Sequence, residues 1–150
     1  MRRTCFLAAL ALVAVTFSAA QQSAPASARG YTLTVIIEGI NQKDGHIGML
    51  VFNSPKGWAE DRTAALRDIY VPAQPGTMTI KVPNLAAGEY AVAVLHDVNN
   101  NHKLDRNWLN KPTEQWGLSN NPHAVIKTPA YSKCTFQLKG DMEIHIQMQM

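Results

Sequence analysis

The sequence predicts an all-β fold, a single antiparallel β-sandwich of about seven strands with one long polar loop. Three observations predict it: short apolar segments that alternate in steps of two, turn residues that punctuate them at intervals, and almost no helical periodicity. A chain of 150 residues that is 46% hydrophobic can bury one real core, but not two.

The chain opens with Met1-Arg2-Arg3, an apolar run from Phe6 to Phe17, and the small residues Ser18-Ala19-Ala20. That three-part pattern predicts a signal peptide over 1–20, and its run is too short for a membrane span. No cysteine follows the cut, which argues against a lipoprotein, so the mature chain is expected in the periplasm or secreted. Residues 21–30 read as a disordered spacer, and 31–150 as the sandwich domain. Without Arg2 and Arg3, 12 basic residues face 11 acidic ones, scattered singly. Neither nucleic acid nor a membrane is indicated as a partner beyond the signal peptide, and a monomer is expected. Only Cys134 follows the signal, so no internal disulfide can form, and the thiol reads as a small buried hydrophobe.

Strand by strand, Tyr31, Leu33, Val35 and Ile37 mark the first element. Asp44-Gly45 then predicts a hairpin into His46–Phe52, where apolar residues of both parities imply a central strand. A brief helical turn is expected within Ala59–Arg67, then a short strand at Asp68–Val71 and an amphipathic one at Thr77–Val82. Leu85-x-x-Gly88-x-Tyr90-x-Val92 resembles the turn and strand of transthyretin-like and carboxypeptidase-regulatory-like exported sandwiches. That implies a transthyretin-like or immunoglobulin-like arrangement, with Gly88 in a conformation a Cβ forbids and Tyr90 in the core. Tyr90–Leu95 should be central. Ala124–Ile126 and Lys133–Leu138 are further candidates, and Ile144, Ile146, Met148 and Met150 close the chain as an alternating strand.

Between them runs HDVNNNHKLDRNWLNKPTEQWGLSNN, from His96 to Asn121. Asp97, Asn99, Asn101 and Asp105 fall at relative positions 1, 3, 5 and 9, with the Lys103 carbonyl at position 7, the spacing with which calcium loops aim oxygens at one centre. His102 stands where the sharp turn wants glycine, and Trp108 where an EF-hand supplies its glutamate. This is therefore no EF-hand. A low-charge calcium site with Glu114 returning from the far side would bind weakly, on the order of 10⁻⁴ to 10⁻³ M. The competing reading is turn chemistry, in which Asp and Asn hydrogen-bond their own backbone.

These residues, with LAAGEYAVAVLHD upstream and the early GHIGMLVFNSPKGW, resemble a family of exported bacterial proteins, domain-of-unknown-function family 2141, over Leu33 to about Met148. The family pattern is close to His-Asp-x-Asn-x-Asn-Gly-Lys-Leu-Asp-x-Asn, then Gly-x-Pro-x-Glu and Gly-Phe-Ser-Asn-Asn. The chain keeps His96, Asp97, Asn99, Asn101, Lys103, Leu104, Asp105, Asn107, Pro112, Glu114, Gly117, Ser119, Asn120 and Asn121. It departs at His102 and Asn110, where glycine is expected, and at Leu118, where phenylalanine is.

The expected function is therefore non-catalytic, a binding or structural module working through the 96–121 loop. Calcium is the ion expected at Asp97, Asn99, Asn101, Lys103 and Asp105. A protein or saccharide ligand is expected at His96, Asn107, Trp108, Glu114, Trp116, Ser119, Asn120 and Asn121. Two alternatives stand beside it: a carbohydrate-binding module stacking sugars on Trp58, Trp108 and Trp116, and a hydrolase using Asp97, Asp105 and Glu114. The histidines His96, His102 and His123 match no standard metal-ligand spacing.

Overall fold

The computed structural model describes residues 30–123 and 127–150. The expected signal peptide at 1–20, the expected spacer at 21–30 except its last residue, and the candidate strand Ala124–Ile126 lie outside the described residues.

Among the described residues eight strands follow in order: β1 (Tyr31–Ile40), β2 (His46–Phe52), β3 (Arg67–Pro72), β4 (Gly76–Leu85), β5 (Gly88–Asp97), β6 (Trp116–Leu118), β7 (Phe136–Leu138) and β8 (Met142–Gln147). They form two sheets, β4-β1-β8 and β3-β2-β5-β6, with β7 pairing the start of β5 while β6 pairs its end. Every pairing is antiparallel except β1 with β8, which is parallel. The all-β, two-sheet sandwich is the fold the alternation predicts.

The core lies between the sheets. Leu33, Val35 and Ile37 of β1 meet Ile47, Met49 and Val51 of β2 and Val92 and Val94 of β5, most of them wholly buried. Each such side chain contributes about 1.5 to 3 kcal/mol by leaving water. Tyr90 enters the same core and its hydroxyl donates to the Ala86 carbonyl at 3.0 Å, a tyrosine-corner bond that fixes the crossing from β4 to β5.

Four sequence expectations change. Asp44-Gly45 makes no hairpin, because β1 is already flanked by β4 and β8, so the chain crosses to the other sheet there. Gly45 still needs its freedom: its φ is +75°, and a Cβ would sit 2.0 Å from the Asp97 carbonyl oxygen. Gly88 has no positive φ and an added Cβ would rest at 3.7 Å on the Tyr90 ring, an ordinary contact, so nothing in the backbone demands glycine. Lys133–Leu138 divides into a short helix, Tyr131–Cys134, and β7. The division is fastened by the Asn120 amide, which donates to the Lys133 and Thr135 carbonyls, and the Ser119 hydroxyl, which donates to the Cys134 carbonyl. The long polar loop, finally, is not loop throughout, since it contains β6, a strand the alternation did not give, and an isolated bridge from Arg106 to Pro112.

Beyond β8 the chain continues to pair. Gln149 exchanges two hydrogen bonds of 2.9 Å with Trp116, which joins the small sheet to the edge of the large one and closes that side of the sandwich.

Candidate functional site

The larger sheet has a second apolar face, turned away from the core. Its registers place Tyr70, Gly48, Leu95 and Trp116 side by side across β3, β2, β5 and β6, and Asp68, Leu50, Ala93 and Leu118 in the next row. A sheet face left to solvent is normally polar. This one is apolar because the chain roofs it, with the segment around Ala59 on one side and the loop after Asp97 on the other. Between floor and roof lies a cavity of about 400 Å³, within the range of small-molecule sites.

Gly48 gives the floor its depth. A Cβ there would find its nearest neighbour, Tyr70 Cδ2, at 3.5 Å, so the backbone tolerates a side chain, which would project from the floor at the expense of the cavity. Polar groups gather at the β3 end. Arg62 donates two bonds of 2.8 Å to Asp68, lies 5.4 Å over the Tyr70 ring, and meets His102 Nδ1 at 2.5 Å. His46 stacks flat on Tyr70 at 4.5 Å, and His102 leans against the same ring. Lys103, Arg106 and Lys127 also line the cavity, and none is in an ion pair among the described residues.

The roof is a fastened loop. Asp97 is fully buried and accepts from the Tyr70 hydroxyl at 2.7 Å, His102 N at 2.8 Å and Asn101 N at 3.1 Å. Burial pushes its carboxyl up, but the hydrogen bonds from Tyr70 and from the 102, 101 and 100 amides outweigh it and hold it below the ordinary carboxylate value. Burial, then the bond to Asp97, pushes the Tyr70 phenol up to about 12. Glu114 bridges the loop's two limbs, accepting from Val98 N at 2.9 Å and Asp105 N at 3.0 Å. Asn99 and Asn101 both donate their amides to the Asp105 carboxylate, at 2.6 and 2.9 Å. His102 and Asn110, the two departures from glycine, have φ of 62° and 60°, so the left-handed turns the glycines would make are kept.

The nominated ligand residues divide. Positions 99, 101 and 105 converge through the amides that Asn99 and Asn101 donate to Asp105, and among the described residues no three His, Cys, Asp or Glu side chains come together. His96 is fully buried, its Nε2 donating to the Asp44 carbonyl at 2.8 Å and its Nδ1 facing Gln115 Oε1 at 3.4 Å, which caps the strand end. Asn107 accepts from Leu109 N and Lys111 N, shaping the tip that carries Trp108, 90% exposed. Trp116 is buried in the cavity floor, and Trp58 donates to the Pro129 carbonyl beneath the roof, so the three tryptophans share no stacking platform. Ser119 ties Val92 to Cys134, and Asn121 pairs through its side-chain amide with Gln147 N and His145 O like a missing strand. Ser119 is thus engaged inside the fold, while Asn120 and Asn121 stay exposed and bond backbone groups through their side-chain amides. Cys134 is buried as expected, its thiol pushed up to about 11 by that burial.

Sequence reading missed Arg62, Tyr70 and Gly48. Gly48 carried the one available signal, a glycine inside an apolar strand.

Neither a curated protein nor a solved structure matches this chain. A family model described as "Uncharacterized protein conserved in bacteria (DUF2141)" matches residues 35–146, which takes in both sheets, the loop and the cavity. The chain belongs to that family.

Proposed function

We propose that this protein is a non-catalytic binding module that holds a small, largely apolar molecule between the outer face of the larger sheet and the 96–115 loop. The observation that carries the reading is the cavity of about 400 Å³, floored by Leu50, Ala93, Leu95, Trp116 and Leu118 and edged by convergent polar groups. Against catalysis stands the state of the carboxylates. Asp97 and Glu114 are buried, each with both oxygens taken by donors, and Asp105 accepts two amides, so none is presented to a substrate as acid, base or nucleophile. The signal-peptide pattern at 1–20 supports export, with the ligand met outside the cytoplasm.

Calcium has a narrower role in this proposal, as a fastener of the roof. Asn99 and Asn101 donate their amide nitrogens to Asp105, and Asp97 and Glu114 hold the backbone on either side, so a weakly bound ion that took the Asp105 carboxylate and turned the two amide oxygens towards it would rigidify the loop without touching the ligand.

A neutral fluorescent reporter, N-phenyl-1-naphthylamine, tests the cavity. Its emission should rise on adding the protein and rise less with Gly48→Val, a substitution that narrows the cavity from its floor and suits a strand. Equal emission from a folded Gly48→Val protein would remove the reading.

A further inference from the structure

The chemical class of the ligand can be argued from charge, given the cavity reading just proposed, on which this inference rests. Four cationic side chains line the cavity, Arg62, Lys103, Arg106 and Lys127, against two anionic ones, Glu60 and Asp68. Arg62 and Asp68 neutralise each other through their paired 2.8 Å bonds, and the Arg62 Nη1 contact to His102 holds the guanidinium further in place. Lys103, Arg106 and Lys127 then face a single carboxylate, Glu60, and none of these four is in an ion pair among the described residues. The excess is local, because the chain as a whole is nearly balanced, with 14 basic and 11 acidic residues including the two arginines at its start.

The distribution has a direction as well as a sign. Lys103 and Lys127 are exposed and Arg106 is half-buried, its Nη1 donating to the Asn110 carbonyl at 3.2 Å, while Trp116 and Leu118 are buried, so the cationic groups stand nearer solvent than the apolar floor. An occupant matching both ends has an apolar body and an anionic head. Cations at a mouth also raise the local concentration of an anion before it docks.

We propose that the cavity is a receptor for an amphipathic organic monoanion, an apolar body carrying one carboxylate, with the body over Gly48, Leu95 and Trp116 and the head among Lys103, Arg106 and Lys127. A neutral sugar would leave the apolar floor unmatched, and an apolar cation would be repelled at the mouth.

The test uses three probes with one tail and three heads, decanoate, decanol and decyltrimethylammonium, titrated into the protein by calorimetry. Decanoate should bind at least tenfold more tightly than decanol, and the cation should bind worst. A triple variant, Lys103→Gln, Arg106→Gln and Lys127→Gln, should lower decanoate affinity about tenfold and leave decanol within twofold, since three exposed pairs together supply roughly that much. High salt should narrow the decanoate advantage in the wild type and not in the variant. Equal binding of decanoate and decanol, or an unchanged decanoate affinity in the triple variant, would overturn the anionic head while the cavity reading stands. Decanoate affinity unchanged by Gly48→Val would place the ligand elsewhere and overturn both, as would an absence of binding by all three probes.

Discussion

The Tyr70 hydroxyl donates to Asp97 Oδ2 at 2.7 Å, so an edge strand and the first turn of the 96–115 loop are held by one bond. Tyr70 belongs to the cavity wall and Asp97 to the buried root of its roof. The geometry of the ligand cavity therefore depends on a hydrogen bond to a charged group. Bonds of that kind contribute about 1.5 to 3 kcal/mol. Tyr70→Phe should lose that amount in chemical denaturation, and with it the sharp uptake of the neutral reporter. A variant as stable as the wild type would show that the loop is held without β3.

Acid sensitivity follows from the same pair. The folded-state value of Asp97 lies below its unfolded value, so its contribution is complete above the unfolded pKa of about 3.9 and is lost as pH falls through the folded one. Asp97→Asn removes that dependence, and its stability curve below pH 4 should be flatter than that of the wild type. Tyr70→Phe, which takes away the leading hydrogen bond that lowers Asp97, should begin acid unfolding at higher pH. Circular dichroism from pH 2 to 6 would decide, and coincident curves for all three proteins would contradict the assignment.

At the alkaline end the sign reverses. Tyr70 is raised to about 12, so neutral Tyr70 stabilises the fold fully below the unfolded value of about 10, and that stability drains as pH rises towards 12. Ultraviolet titration should show one phenol ionising close to 12 that is missing from Tyr70→Phe. Its appearance near pH 10 in a still folded protein would mean that the hydroxyl does not face Asp97.

How much of this was legible in the sequence depended on whether the signal was local. Alternation in β1, β4 and β8 is local, and Leu33, Val35, Ile37, Ile80, Val82 and Ile146 all lie in the core it implies. The double parity of Leu50 and Phe52 correctly marked a strand covered on both faces, but what covers the second face could not be read, because the cover is the loop itself. The row Tyr70, Gly48, Leu95 and Trp116 comes from four strands whose register is set by pairing, and no spacing along the chain reveals it. Likewise, the Asn and Asp spacing at 97–105 located the loop's fastening. The bonds that Ser119, Asn120 and Asn121 make to the backbone could not be read either, because a side-chain amide standing in for a strand has no periodic signature.

Asn110 offers a test of the departure from glycine. Its φ of 60° is left-handed, its backbone N–H donates to Asn107 O at 2.8 Å, and that bond does not involve its side chain. Asn110→Gly should be neutral or slightly stabilising. Asn110→Ala should cost about 1 kcal/mol, since a left-handed alanine carries a penalty of roughly 1 to 2 kcal/mol that asparagine partly escapes. Denaturation midpoints in the order Gly, Asn, Ala would confirm the turn, and alanine matching glycine would refute it.

The two loop tryptophans should behave as opposites. Trp108 is 90% exposed at the loop tip and Trp116 is 9% exposed in the cavity floor, paired on one side with Leu95 and on the other with Gln149. Trp108→Ala should leave stability within about 0.5 kcal/mol of the wild type, as surface changes do. Trp116→Ala should lose about 3 to 5 kcal/mol and weaken the closure between the sheets. Ligand binding separates them further: filling the cavity should change the emission of Trp116 and leave that of Trp108 as it was, a difference readable by comparing Trp108→Phe with the wild type. If the ligand-dependent signal vanished in Trp108→Phe, the contact surface would be the exposed tip and the cavity would be an incidental gap beneath the loop.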